Sequence, residues 1–466
     1  MEDGCSPRNL DDMTSIIASL RTRALGAARA VAVPIGGAWL DRAVKGAEAR
    51  GRHRTRDLAP ASGTTRRRVR FLIMSASGVG GVIRATFTTA GHLASNHDVE
   101  VVSVLPGADE PRMAVPDGLR LHRLVGRTNR RPSPRNLAAV LLSRAPSRLW
   151  HEHDANRKRA SLWTDVQLVR WLRSLPDGTV VVSTRPALTM IAGRLAPAGV
   201  IVIAQEHQRL ARHGEETRNA LAAALPNVSV LVTLTESDRA AWEDLLGAGG
   251  PPVLAIPNAV PDVPLGPGDP GAHALIAAGR LESQKGFDLL LEAFAAVAAK
   301  HPDWILDIFG KGTRRETLEQ SVVDLGLRGR ARINAPTDRL GERMRDASVY
   351  VLSSRYEGFP IVLLEAMAAG LAVVSFDCPT GPNEIVADGT SGLLVPAEDV
   401  PALAAALDRI MDDESLRRRL AAAAPSAVLP YSLEKVGRRW DELLGMGTSA
   451  SGDDGRTYLS GGFEGT

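Results

Sequence analysis

Short apolar runs recur along this chain, and a helix-length stretch separates each run from the next. That alternation allows parallel sheets wound with helices and leaves little room for anything else. The first unit reads RVRFLIMSA (68–76), then the loop SGVGG (77–81), a helical stretch VIRATFTTAGHLAS and a second strand VEVVSVLPG. TVVVST (179–184), VIVIAQ (200–205) and SVLVTLT (229–235) are further strand candidates in the same half. VLAIPNAVPDVPLGPGDPG (253–271) is dense in Pro and Gly and reads as an interdomain linker. A second series follows: ALIAAGRL, a helix from 287, WILDIFG, a helix near 314–325, RARINAP, a short helix near 338–346, VYVLSS, a helix from Pro360, and LAVVSFD. Helices are expected to fill 399–424 and 431–445. The expected architecture is therefore α/β, with two doubly wound Rossmann-like domains facing an interdomain cleft. In such sheets ligands lie outside the carboxyl ends of the strands.

The expected divisions are a basic N-terminal extension over 1–66, a first domain over 67–255, a second over 256–430, a helix over 431–446 and a flexible tail over 447–466. Within the extension, Met13, Ile16, Ile17 and Leu20 recur at helical spacing, and eight arginines fall between positions 50 and 70. Such a leader reads first as a poorly ordered basic segment and second as a contact for an anionic membrane surface. It offers no stacking aromatics, which argues against nucleic acid. The stretch 126–159 is rich in Arg, Pro and Leu and shows no strand pattern.

Composition narrows the class. Hydrophobic residues at 44% and charged residues at 23% are ordinary for a soluble globular protein. Cys5 and Cys378 form neither a disulfide framework nor a metal-ligand spacing, so a cytoplasmic protein is expected. The acidic, polar start is unlike a secretory leader, and no uninterrupted apolar run nears the ~20 residues that span a bilayer.

SSRYEGFPIVLLEAMAAG (353–370) carries two glutamates eight positions apart around a Gly-Phe-Pro turn. With Pro360 at the first helical position, Glu357 lies in the entering loop and Glu365 about a turn and a half inside. The free N–H groups between them make an anion site. A ligand that is anionic in its middle and rich in hydroxyls at both ends suits this layout, as a nucleoside-diphosphate sugar does. GRLESQKGFD (279–288) adds Arg280 and Lys285 in one strand-to-helix loop, where Arg can grip phosphate in a fork and Lys acts as a point charge. Taken singly, that loop reads equally well as solvated surface charge.

Other stretches are less specific. FGKG (309–312) ends a strand in glycines, as many turns do to reach positive φ. SGVGG departs from the dinucleotide pattern, since Ile83 stands where a third glycine belongs; Gly80 and Gly81 read instead as a tight loop beneath a phosphate or an acceptor. AQEHQ places Glu206 and His207 at a strand end facing the cleft, where a lone histidine is more often structural. Thr235 and Asp238 read as a helix cap, and HEHD (151–154) as a solvated helix face in place of a metal site. No strand ends in an Asp-x-Asp that would hold a metal on a diphosphate.

Residues 69–445 resemble the GT-B glycosyltransferases of family 4, the retaining, glycogen-synthase-like group. The resemblance rests on the ordered set SGVGG, GRLESQKG, Glu357 and Glu365 within EGFP…LLEAMAAG, and GPNEIVADGTSGLLV. It implies a hexosyltransferase that moves a sugar from a nucleotide-diphosphate sugar to an acceptor hydroxyl with retained configuration, with no cofactor and no bound metal. Arg280 and Lys285 would then bind the diphosphate and Glu365 the ribose hydroxyls. Glu357 and the backbone of Gly358, Phe359, Pro360 and Ile361 would hold the transferred sugar, with Gly80 and Gly81 lining the donor site. His207 matches the family's cleft histidine that contacts the sugar, and YSLEKVGRRWDELLG resembles the helix that returns to the first domain. The catalytic set so implied is Glu357, His207, Arg280 and Lys285.

The expected role is cell-envelope glycan biosynthesis, with a glycan, lipid-linked or phosphate-bearing acceptor and the inner face of the plasma membrane as a second contact. A nucleotide-sugar epimerase of the same architecture, or a non-catalytic nucleotide-sugar-binding scaffold, are the alternatives.

Overall fold

The structure, a computed structural model, describes residues 28–47, 66–78, 80–108, 110–126, 137–260, 268–337 and 339–445. Seven strands form the first sheet: β1 (Arg68–Ile73), β2 (Asp98–Ser103), β3 (Arg120–Arg123), β4 (Val180–Ser183), β5 (Ile201–Gln205), β6 (Val230–Thr233) and β7 (Val253–Ala255). Their order is β3-β2-β1-β4-β5-β6-β7, and every neighbouring pair is parallel. Six strands form the second: β8 (Ala274–Arg280), β9 (Ile305–Lys311), β10 (Ala331–Asn334), β11 (Val349–Leu352), β12 (Ala372–Asp377) and β13 (Leu393–Pro396). These run β10-β9-β8-β11-β12-β13, again all parallel. Both are doubly wound Rossmann-like sheets. Strand order reverses between β1 and β4 in one and between β8 and β11 in the other, so each sheet opens a crevice at the carboxyl ends of those strands.

Parallel strands must be covered on both faces, which is why the sequence shows them as unbroken apolar runs. β4 is the plainest case: all four of its residues, Val180 to Ser183, are buried. The helix Leu433–Gly445 sends Val436, Trp440, Leu443 and Leu444 into the core beneath the first sheet. Trp440 meets Phe71 of β1 edge-on, with ring centroids 6.0 Å apart. The chain thus crosses between the sheets twice, once after β7 and once near Tyr431. The two crossings lie side by side, since Val260 N–H donates to the Tyr431 carbonyl at 2.8 Å.

Several expectations change. β7 lies inside the stretch read as linker, because a three-residue edge strand between prolines has no pattern to show. β3, with the sequence RLHR, is a largely exposed edge strand and equally unmarked. Residues 28–47, read as part of the extension, form a helix that belongs to the first domain. Leu40, Ala43, Val44 and Ala47 enter its core beside Leu142 and Trp150, which come from the unpatterned stretch 126–159. The two unplaced stretches therefore pack on one another, and a Cβ on Gly36 would stand 2.8 Å from Leu142 Cδ2.

Part of the arginine run is also structural: Arg70 bridges Asp98 at 2.9 Å and Glu100 at 3.3 Å on β2. The helix expected around Met13–Leu20, the arginines from 50 to 56 and the tail 447–466 lie outside the described residues. Among the described residues, no helix is long and apolar enough to cross a membrane.

Candidate active site

The second sheet brings two loops together at its switch point. β8 ends at Arg280, and a single 3-10 turn, Ser283–Lys285, leads to Gly286 in the left-handed region at φ 59°. A Cβ there would lie 1.9 Å from the Ser353 carbonyl oxygen, so both conformation and contact require glycine. This close approach seats Lys285 against the end of β11. Its Nζ donates to Glu357 Oε1 at 2.6 Å, with side chains 15% and 6% exposed. Ser354 Oγ donates to the same oxygen at 2.5 Å, and Ser353 Oγ donates to the Lys285 carbonyl at 2.9 Å. Arg280 stays exposed and donates to Gln284 Oε1 at 2.5 Å, while Gln284 Nε2 donates to the Tyr356 carbonyl at 3.1 Å. Both cations of one loop are thus tied to the loop that carries Glu357.

The FGKG glycines serve a different purpose from the one expected. Neither Gly310 nor Gly312 has positive φ. Side chains there would strike the carbonyl oxygens of Gly279 and Leu281 at 2.1 and 2.2 Å, so the two turns touch backbone to backbone.

The helix after β11 runs Ile361–Ala368, and Pro360 is its N-cap residue, one position earlier than expected. Its ψ of 79° lies outside the helical range, while its carbonyl already accepts from Leu363 N–H at 2.9 Å. Phe359 and Ile361 are buried, and no side chain caps the first turn. Glu365, in the second turn, is 8% exposed at its side chain and accepts from Arg84 Nη1 of the other domain at 2.5 Å. Burial pushes the Glu365 carboxyl above its ordinary range, and Arg84 opposes that rise. Beneath the two glutamates, burial and then their charges push the Tyr350 phenol up.

The first domain supplies the facing wall. Gly80 and Gly81 open the helix Gly81–Leu93 with ordinary extended backbone at Gly80. A Cβ on Gly80 would meet nothing within 4 Å, and one on Gly81 would stand 3.9 Å from Ile361 Cδ1, so the glycine loop faces the glutamate helix. His207 follows β5 and is buried, and its Nε2 has no hydrogen-bond partner among the described residues. Burial, and then the charge of Arg185, push its ring down to about 3, so it is neutral across the physiological range. A Cβ on Gly358 would come 2.4 Å from the His207 carbonyl oxygen, which brings the expected sugar-side residues of both domains into contact.

Three further contacts cross the seam. Arg209 Nη1 donates to the Pro379 carbonyl at 3.0 Å, and Arg212 stacks over the Tyr356 ring at 3.9 Å. Glu384 accepts from the N–H groups of Glu236 and Ser237 at 2.9 and 3.1 Å, so a carboxylate of the second domain caps a helix of the first.

All eleven residues singled out from the sequence thus lie in the two crevices or on the seam between them. Arg84, Ser354, Gln284, Arg185 and Glu384 were not anticipated. Arg84 did leave a trace: a cation in a helix's first turn opposes the dipole and calls for a compensating anion. Thr235 is the N-cap and accepts from Asp238 N–H at 3.2 Å, but the Asp238 carboxylate turns to Leu210 N–H at 2.9 Å, so only half the box forms. HEHD lies in exposed turns, with His153 paired to Glu216 at 2.9 Å. Among the described residues, His301, Asp408 and Asp412 have metal-ligand spacing, but Lys300 Nζ already holds both aspartates at 2.9 and 2.5 Å.

Residues 269–427 match the family model for glycosyl transferases group 1. The chain is 34% identical over 389 residues to an exopolysaccharide phosphotransferase of Streptomyces coelicolor, a match spanning 81% of this chain but 40% of that protein. It is 34% identical over 172 residues to an amylovoran biosynthesis glycosyltransferase of Erwinia amylovora, covering 37% of this chain and 48% of the relative. Among solved structures, TarM superposes with a TM-score of 0.66 at 12% identity, over 82% of this chain and 99% of its own; a TarM mutant structure holds UDP and alpha-GlcNAc-glycerol. Some of the homologues thus serve cell-surface glycan biosynthesis. The paired parallel sheets share the GT-B fold of the solved structures, the second domain matches the glycosyl transferases group 1 model, and the chain spans about half or less of the length of these two relatives.

Proposed function

We propose that the protein is a retaining glycosyltransferase that moves a sugar from a nucleoside-diphosphate sugar to an acceptor hydroxyl in cell-surface glycan assembly. The observation that carries this reading is the Lys285–Glu357 pair, buried at 2.6 Å beside Arg280 and the open first turn of the glutamate helix. When the sugar leaves, negative charge develops on a diphosphate. Arg280, Lys285 and the helix N–H groups are positioned to stabilise it in a site of low dielectric. Lys285 carries three donor protons, so it can reach a phosphate while still holding Glu357.

Glu357 would stabilise positive charge at the anomeric carbon as it forms, and neutral His207 would accept from or donate to a sugar hydroxyl. In this reading Glu365 takes the ribose hydroxyls. The loop cations stand in for a divalent ion, so turnover persists in EDTA; loss of turnover that Mg²⁺ or Mn²⁺ restores would contradict it. The half-buried Arg185 makes no side-chain hydrogen bond or ion pair among the described residues, and its charge acts on His207, which supports a phosphate-bearing acceptor on the first domain. We place the reaction on the cytoplasmic side, where the buried Cys378 needs no oxidising surroundings.

The deciding experiment measures nucleotide release from a panel of UDP-, GDP- and ADP-sugars, with and without glycan and phosphate-bearing acceptors, followed by mass spectrometry of products. Acceptor-dependent release with a glycosylated product is expected. Sugar isomerisation without an acceptor would favour an epimerase, and binding without either would leave a scaffold.

A further inference from the structure

Glu365 sits in a position that would ordinarily silence it. Its side chain is 8% exposed, and burial works against its ionised form. A protonated carboxyl has one acceptor fewer and meets a ribose diol poorly. What opposes protonation comes from the other domain. Arg84 projects from the first turn of the helix Gly81–Leu93, 281 positions away in the chain, and its Nη1 lies 2.5 Å from Glu365 Oε1. Only Oε1 is engaged, and among the described residues Oε2 has no hydrogen-bond partner.

The surroundings offer no substitute. The glutamate helix carries no other charge, and among the described residues Arg84 is the one charged group that acts electrostatically on Glu365, whose own charge in turn bears on the Tyr350 phenol. Tyr350 is a neutral phenol throughout the working range, since its own ionisation is pushed up. Arg84 has its own cost: a cation near a helix N-terminus is unfavourable without an anion beside it. Each residue is therefore in poor electrostatic surroundings alone and in good ones with the other.

We infer that Arg84 is a positioning residue for the nucleotide: it holds Glu365 ionised and oriented, with one oxygen free for a hydroxyl pair, and so makes nucleotide binding depend on the first domain being docked. This rests on the reading of Glu365 as the ribose-binding carboxylate. The nucleotide then reports on a contact between two domains although Arg84 itself need not touch it.

The test uses the full chain with Arg84→Met, which keeps the side chain's length and removes its charge, and Arg84→Lys. Affinity for UDP, GDP and ADP is measured by calorimetry from pH 6 to pH 9, using whichever binds the unaltered protein. Wild-type affinity should change only with the ionisation of the nucleotide's terminal phosphate near pH 6, and each variant is read as its ratio to wild type at the same pH. Arg84→Met should bind roughly 10- to 100-fold more weakly at pH 6 and recover toward wild type by pH 9, as Glu365 loses its proton without help. Arg84→Lys should bind close to wild type. In a Glu365→Gln background Arg84→Met should have no further effect, because there is no charge left to hold. A loss equal at every pH, or one that persists undiminished in the Glu365→Gln background, would overturn the inference.

Thermal denaturation without nucleotide separates its failure from that of the proposed function. With Arg84→Met the folded-state carboxyl rises further, so the melting-temperature gap from wild type should be widest at neutral and alkaline pH and close toward pH 5. If the unaltered protein binds none of the nucleotides while this gap behaves as stated, the ion pair stands and the assignment of Glu365 to a ribose falls. A gap that does not change with pH would sink the pair itself.

Discussion

The two domains share one plan of parallel strands and covering helices, yet they hold their cleft residues in opposite ways. In the second domain nearly every site group is fixed from within: Lys285 by Glu357, Glu357 by Ser354, Arg280 by Gln284, and the turns by glycines at backbone contact. In the first, Gly80 faces open space, His207 Nε2 has no hydrogen-bond partner among the described residues, and Arg84 finds its partner across the seam. A wall built from internal contacts suits a ligand that keeps one chemical form, as a nucleoside diphosphate does. A wall with unspent groups suits one that differs between proteins, as acceptors do. The family match, confined to 269–427, follows the same division.

The second domain should suffer most from loss of a contact made within it. Lys285→Met leaves Glu357 buried without a counter-charge, which should lower stability by ~3–5 kcal/mol. Adding Glu357→Gln should recover much of that loss while turnover stays absent. Chemical denaturation of both variants measures it, and a cost for Lys285→Met no larger than that of the exposed Arg280→Met would show that the pair is not structural.

Next come the two glutamates compared. Glu365→Gln should weaken nucleoside-diphosphate binding roughly 10- to 150-fold, the value of a hydrogen bond to a charged group. Glu357→Gln should lower kcat strongly and leave that binding near wild type, since it also releases Lys285 toward the phosphates. Calorimetry beside initial rates distinguishes them, and equal losses of nucleotide affinity would contradict this division of roles.

The first domain's exposed weakness is acid. His207 is neutral when folded, with its ring pushed down to about 3, but ionises near 6.5 when unfolded. Stability from this group is complete above 6.5 and falls as pH drops from 6.5 toward 3, by up to about 1.4 kcal/mol per unit. At pH 5 that is about 2 kcal/mol, and His207→Phe should remove this part of the acid sensitivity. Identical pH–stability curves for the two proteins would refute it.

The smallest effect belongs to the seam. Glu384→Ala removes a helix cap supplied in trans and should cost ~1 kcal/mol of stability. Small-angle scattering should also show a larger population of separated domains, with a matching small loss of nucleoside-diphosphate affinity below neutral pH, where Glu365 depends on Arg84.

The sheet architecture was legible because buried parallel strands must be apolar throughout; β4, β5 and β11 announce themselves. β3 and β7 did not, because edge strands of three or four residues are not required to be apolar on both faces. The clustering of the proposed donor-site residues was legible because each lies within a few positions of the next, in 279–288 and 353–370. Arg84 and Glu365 are 281 positions apart, and only the docking of two domains makes them neighbours. The helix 28–47 was masked by its arginine-rich company, and its four buried residues at helical spacing matter only because Leu142 and Trp150 come to meet them.

The chain crosses between the sheets at two places, and Val260 N–H bonds to the Tyr431 carbonyl where they pass. A body hung on one strap can swing, twist and slide. Hung on two straps fastened to each other, it keeps little more than the swing of a door on a short pin. Any opening of the cleft would then move Gly358 away from His207 and Arg84 away from Glu365 along one arc and return them to the same registration. Repeated rounds of opening for substrate and product need no search for alignment when the pin permits only one path.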